Sequence, residues 1–224
     1  MIYEFFRWLA IITCYPFQLL LFTRKTYYED ESCRPDWRHG GKLIISNHFN
    51  FLDYLMSMFI VLPKRLNVIA GEDPFRNPFL RFGMRFFGVI QANRITRDMR
   101  FMDQGAEVIR KGKLLLIYPE GRNTPDGKIG PFKPSYIVIA HRADAPIVPI
   151  VTDGNYGFFK RAHVIIGKEI HLGDYFTTDR RTPTRDDLSR TNELIRNKVL
   201  QLRQELEERK AADKKKTKPK KEAQ

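Results

Sequence analysis

A chain of 224 residues, 42% hydrophobic and 12% aromatic, can bury a core of its own, which excludes a disordered or low-complexity protein. Its formal net charge of +13 and pI near 9.8 select anionic partners: nucleic acid, acidic lipid headgroups or phosphorylated substrates. Two cysteines, Cys14 and Cys33, stand at no metal-ligand spacing and are too few for a disulfide scaffold, so both read as reduced thiols in a cytosolic setting.

The first element is apolar. Residues 5–22 read FFRWLAIITCYPFQLLLF, interrupted by Arg7, Pro16 and Gln18 and followed by Arg24 and Lys25. No small-residue cleavage site follows, which argues against a removable signal peptide. A spanning helix wants about 20 uninterrupted apolar residues, and this run falls a little short. The expectation is a bent or tilted helix, or two short ones, buried in one leaflet with Arg7, Trp8, Arg24 and Lys25 at the headgroup level. The alternative is an ordinary core helix. Apolar residues cover almost every face rather than one stripe, and that favours the membrane. Residues 1–28 are therefore set apart as a membrane-associating helical segment.

Downstream, strand-like and helix-like pieces alternate. Strands are expected at Lys42 to Ser46, Leu66 to Ala70, Val89 to Gln91, Leu114 to Tyr118, Pro146 to Val151 and His163 to Ile166. Helices are expected at Asn50 to Leu62, Asn77 to Phe87 with Pro78 at its start, Arg97 to Lys111 stopped by Gly112, and Ser135 to Arg142. Residues 127–134 read as loop. This rhythm predicts an α/β domain over residues 29–210, with a mainly parallel central sheet flanked by helices.

From Thr184 to Lys210, Leu188, Leu194, Ile195, Val199, Leu202 and Leu206 fall at helical spacing, and Thr184 with Asp187 makes a capping-box pattern. The helix either covers the sheet or meets a partner. Residues 211–224, AADKKKTKPKKEAQ, have the composition of a disordered basic tail. Such a tail can grip nucleic acid, hold anionic lipid or only aid solubility. Beside an apolar N-terminus the lipid reading comes first, and no nucleic acid is expected.

Chemistry concentrates in two clusters. In Ser46-Asn47-His48-Phe49-Asn50-Phe51-Leu52-Asp53, an imidazole and a carboxylate stand five positions apart. On one continuous helix they would point about 140° apart. A strand ending at Asn47 or His48, then a helix starting near Asn50, puts His48 on the turn and Asp53 in the first helical turn behind it. The carboxylate can then reach back to one ring nitrogen and leave the other as a proton acceptor for a hydroxyl. The second cluster, Tyr118-Pro119-Glu120-Gly121-Arg122, supplies a carboxylate, a bare backbone position and a fixed positive charge.

Four blocks in order resemble the glycerolipid acyltransferase superfamily, in particular its 1-acylglycerol-3-phosphate (lysophosphatidic acid) type. Asn47-His48 through Asp53 looks like the N-H-x4-D block. Gly88-Val89-Ile90-Gln91-Ala92-Asn93-Arg94 is similar to G-x-I-x-x-x-R, Tyr118 through Arg122 resembles F-P-E-G-T-R, and Ala145-Pro146-Ile147-Val148-Pro149 resembles the V-P block. The resemblance covers roughly residues 40–151. It implies His48 as general base, Asp53 as its orienting partner, Arg94 and Arg122 facing the acceptor's phosphate, and Glu120 and Gly121 shaping the acceptor site. Guanidinium suits phosphate by its bidentate donors and permanent charge, and glycine lets backbone approach a ligand. Plain alternatives exist: Arg94 paired with Asp98, Glu120 with a neighbouring arginine, Gly121 serving a turn, Pro149 marking a strand edge.

The chain also departs from the family pattern. Arg122 follows Gly121 with no residue between, Ala70-Gly71 stands where a lysine-rich step is common, and Phe132-Lys133-Pro134-Ser135 replaces F-K-x-G. What the resemblance implies is an O-acyltransferase at the cytoplasmic face of a membrane. It would move a fatty acyl group from acyl-CoA or acyl-carrier protein to the free hydroxyl of the lysophospholipid 1-acylglycerol-3-phosphate, giving phosphatidic acid. No metal and no cofactor beyond that co-substrate are implied. The alternatives are another lysolipid or amino-lipid acceptor, or a non-catalytic membrane- or nucleic-acid-binding protein.

Overall fold

The computed structural model describes the chain except residues 1, 51, 72–80, 85–86, 93–98, 125, 177–182 and 218–224. Among the described residues seven strands form one sheet: β1 (Arg24–Tyr28), β2 (Lys42–Ser46), β3 (Leu66–Ala70), β4 (Val89–Gln91), β5 (Leu114–Ile117), β6 (Ile147–Thr152) and β7 (Ala162–Ile166). Their order is β1-β7-β6-β2-β5-β3-β4, and every neighbouring pair is parallel except β6–β7. Strands such as KLIIS, LLLI and IVPIVT are buried along their whole length. Continuous apolar runs of this kind suit a parallel sheet covered on both faces.

Among the described residues the complete α-helices are α1 (Ile2–Leu21), α2 (Leu52–Ile60), α3 (Arg100–Arg110), α4 (Ser135–Ala143) and α5 (Arg185–Thr217). The last three cover one face of the sheet, and α2 with Phe22 covers the other. In α3 the buried positions are Met102, Gly105, Ala106 and Ile109, the spacing of one helical stripe. Gly112 then takes a φ of +70°, a left-handed turn that costs glycine nothing and stops the helix. The capping box forms at the start of α5: Thr184 N–H donates to Asp187 Oδ2 at 3.0 Å, and Asp187 N–H donates to Thr184 Oγ1 at 3.1 Å. Ile195, Val199, Leu202 and Leu206 are buried, but Leu194 is 47% exposed and turned to solvent. It lies one position off the stripe that meets the sheet.

Two boundaries differ from the sequence reading. Residues 24–28 are not part of a membrane segment; they are β1, an edge strand in register with β7, Arg24 opposite Ala162 and Tyr28 opposite Ile166. The polar α5 holds this strand in place: Lys198 pairs with Glu29, Asp213 with both Lys25 and Tyr27, and Arg209 Nη1 donates to Tyr28 O at 3.0 Å. Asp213 can do this because residues 211–217 are helical, continuing α5 rather than forming a disordered tail. Residues 218–224 lie outside the described residues.

The N-terminal run is a single helix, with Pro16 inside it. Among its described side chains Phe5, Trp8, Leu9, Ile12, Tyr15, Leu19 and Leu20 are exposed. Among the described residues no helix is long and apolar enough to cross a membrane. The helix expected at 77–87 lies largely outside the described residues, although 81–84 is helical. Pro149 sits within β6, opposite Ile45 of β2, rather than at an edge of the sheet.

Candidate active site

The parallel strands β2, β5 and β6 are adjacent and end together, and each delivers part of one polar cluster at its carboxyl end. Strand β2 runs into Asn47 and His48, β5 into Tyr118 through Gly121, and β6 into Thr152. The chain leaving β2 turns sharply into α2. Asn50 Oδ1 accepts the Leu52 N–H at 2.8 Å, and Asp53 falls in the first turn of the helix.

Asp53 is almost completely buried and four donors converge on it. Oδ2 accepts the backbone N–H groups of Phe49 at 2.6 Å and Asn50 at 2.7 Å, and it lies 3.0 Å from His48 Nδ1. Oδ1 accepts the Tyr156 hydroxyl at 2.7 Å. A carboxylate so surrounded is all acceptor, so His48 Nδ1 carries the proton and Nε2 offers a lone pair. The imidazole is 18% exposed at its side chain, which leaves it an opening. Its ring stacks on Tyr118, with centroids 3.8 Å apart and planes 11° from parallel. The stack fixes the plane of the ring while Asp53 fixes its rotation.

Tyr156 is buried between Asp53 and Phe22, and its oxygen lies 2.9 Å from Thr152 Oγ1. Burial, reinforced by the Asp53 charge, raises its phenol far above the ordinary range, so it stays a donor. Burial likewise pushes the Tyr118 phenol up. Asn47 ties the end of β2 to β6 by two bonds: its Nδ2 donates to Thr152 O at 3.0 Å, and Thr152 N–H donates to its Oδ1 at 2.9 Å. The carboxamide thus acts as one more rung of the sheet, directly before His48.

Glu120 is buried and faces the protein. Oε1 accepts the His48 backbone N–H at 3.3 Å, and Oε2 accepts Gly130 N–H at 2.8 Å, with Thr124 Oγ1 at 3.3 Å. Thr124 N–H donates to His48 O at 2.7 Å. Glu120 and Thr124, in the chain leaving β5, thus engage both backbone polar groups of His48. Gly121 has a φ of +68°, and a Cβ there would lie 3.1–3.3 Å from the Lys133 side chain. Arg122, the next residue, is exposed and has no partner among the described residues. Arg94 lies outside the described residues. Among the described residues no group of three or more His, Cys, Asp or Glu is placed to hold a metal.

The structure thus brings His48, Asp53, Glu120 and Gly121 together. Tyr156, Thr152 and the roles of Asn47 and Tyr118 escaped the sequence reading. Tyr156 stands 103 positions from Asp53 and belongs to no short motif; only the capacity of a buried phenol for one donor bond marks it.

Such a site can hold a neutral imidazole as a proton acceptor, one ring nitrogen bonded inward and the other free, beside a loop that carries a cation. The chain is similar to several named acyltransferases. The 1-acyl-sn-glycerol-3-phosphate acyltransferase BAT2 of Brassica napus chloroplasts is 30% identical over 112 residues, which is 49% of this chain and 32% of that protein. The human 1-acyl-sn-glycerol-3-phosphate acyltransferase beta is 34% identical over 122 residues, 52% of this chain and 43% of that one. The chain thus spans less than half the length of these two relatives. The crystal structure of the 1-acyl-sn-glycerophosphate (LPA) acyltransferase PlsC from Thermotoga maritima superposes with a TM-score of 0.56 at 20% identity, over 84% of this chain and 73% of that one. It shares the fold. The sequence model of the family described as Acyltransferase matches residues 25–153, more than half of the chain and the whole of the His48–Thr152 cluster. The chain belongs to the acyltransferase family.

Proposed function

We propose that this protein transfers a fatty acyl group from an acyl thioester to the free hydroxyl of 1-acylglycerol-3-phosphate, giving phosphatidic acid. The observation that carries the reading is the His48–Asp53 pair: a ring nitrogen 3.0 Å from a buried carboxylate that three further donors hold in place. Nε2 of His48 takes the proton of the acceptor hydroxyl as its oxygen attacks the thioester carbonyl. The carbon–sulfur bond breaks, and the leaving thiolate takes that proton back from the imidazolium. The substrate alcohol is the nucleophile, so no side chain is acylated. Arg122 is free to meet the acceptor phosphate beside Gly121, and Arg94 is assigned the same part.

The donor is acyl-CoA or acyl-carrier protein, both of which suit a chain of net charge +13. The exposed apolar side chains of α1 suit a helix lying in one leaflet at the cytoplasmic face, which would bring the site to the lipid acceptor. The names of the relatives above support the acceptor. The test is a purified assay of lysophosphatidic acid against other lysolipids and amino-lipids, with each donor, for the wild type and His48→Ala. The expected loss is about 10²- to 10⁴-fold in kcat with the fold intact, as for removal of a general base. Full activity in His48→Ala would end the proposal. Faster transfer to a different lysolipid would move the acceptor and leave the chemistry standing.

A further inference from the structure

The loop between β6 and β7 does two things at once. Near its start, Tyr156 reaches inward to Asp53 at 2.7 Å. Two residues later Phe158 and Phe159 are 61% and 105% exposed. Two adjacent phenylalanines at a loop tip are a large apolar exposure for so few residues. Phe159 also has a φ of +59°, a backbone region that a bulky residue enters only at a cost. Lys160 and Arg161 follow, both exposed and without an ion-pair partner among the described residues.

The tip is fastened on both sides to the chain leaving α1. Gly157 N–H donates to Leu21 O at 3.0 Å, and Ala162 N–H donates to Thr23 O at 2.9 Å. The last exposed apolar residues of α1, Leu19 and Leu20, stand immediately before those acceptors. An apolar tip, two basic residues and the end of an apolar helix face are thus continuous.

We infer that residues 157–161 form a second membrane-docking element, in which Phe158 and Phe159 enter the acyl boundary of an anionic leaflet and Lys160 and Arg161 meet its headgroups. This inference rests on the membrane reading of α1 and adds a contact point beside the active site. Because Tyr156 and the tip share one short loop, docking holds the His48–Asp53 pair at the bilayer edge.

The test uses the full chain and phosphatidylcholine vesicles with and without phosphatidylglycerol. Phe158→Ser with Phe159→Ser should lower partitioning onto the anionic vesicles roughly tenfold or more. It should leave turnover of water-soluble short-chain substrates unchanged. Lys160→Glu with Arg161→Glu should weaken binding to the anionic vesicles alone, by about fivefold or more per residue. A second measurement does not depend on the double variants folding. A polarity-sensitive fluorophore on Phe159→Cys, with Cys14→Ser and Cys33→Ser, should shift to the blue on the vesicles and be quenched by lipid-borne quenchers. If the wild type ignores vesicles, both the α1 reading and this inference fall. If the wild type binds and the probe stays in water, with the double variant binding equally, only the tip is wrongly assigned. Unchanged partitioning with a raised KM for an acyl-carrier-protein donor would also overturn it and give the tip to a protein partner.

Discussion

Tyr156→Phe removes one oxygen from the interior and leaves every ring contact in place. Among the described residues it takes away the only donor to Asp53 Oδ1, on a side chain with no solvent exposure. A hydrogen bond to a charged group contributes about 1.5–3 kcal/mol, so the folded state should lose about that much. For a chain of this size that is roughly a 4–10 °C fall in Tm. The hydroxyl also helps to hold the Asp53 carboxylate against His48. If about half of the lost bond energy is expressed in the transition state, kcat falls by about 3- to 12-fold. The acceptor's KM should not change, because Tyr156 lies behind Asp53. The assay is kcat and KM for wild type and variant on one acceptor, with Tm measured on the same preparations. An unchanged kcat, or a loss of activity expressed wholly in KM, would refute the view that Tyr156 acts through Asp53.

Two further outcomes follow from the same geometry. Glu120→Gln keeps shape but offers one acceptor where two N–H groups arrive, from His48 and Gly130, so its NH₂ must face a donor; a cost of about 1–3 kcal/mol in denaturant unfolding and a lower kcat are expected, and unchanged stability would show that Glu120 does not join the two motifs. Burial opposes ionisation of Asp153, but Lys210 at 2.8 Å and the N–H groups of His163 and Asn155 outweigh it and hold the carboxyl below its ordinary 3.8. That stability is present above the unfolded value and is lost as pH falls through the lower folded one. Lys210→Ala should therefore cost about 1.5–3 kcal/mol near neutrality. The gap from wild type should close below about pH 4, and a gap independent of pH would mean that Lys210 acts by packing alone.

Much of the local structure was legible because its causes are local. The aliphatic stretches in KLIIS, LNVIA and LLLI announce strands, and β2 and β3 fall on the expected residues. Thr184 and Asp187 cap α5 through atoms three residues apart. The five-residue step from His48 to Asp53 demanded a turn and then a helix start, and the chain makes both. What could not be read depends on which strands are neighbours. Arg24 to Tyr28, charged and aromatic, looks like a flank of the apolar N-terminus until β7 and α5 supply its partners. The end of α5 looks like a soluble tail until Asp213 meets Lys25 and Tyr27.

The same holds at the site. Sequence alone determined which groups are present, an imidazole, a carboxylate and a loop with a glycine and a cation, since their spacing is a matter of backbone sterics over a few residues. The order β6-β2-β5 decided what holds them. It sets Thr152 against Asn47, Glu120 against the backbone of His48, and Tyr156 against Asp53, across 105, 72 and 103 positions. Each of those bonds is stable because the sheet has excluded water from it, and a linear chain carries no mark of where water will be excluded.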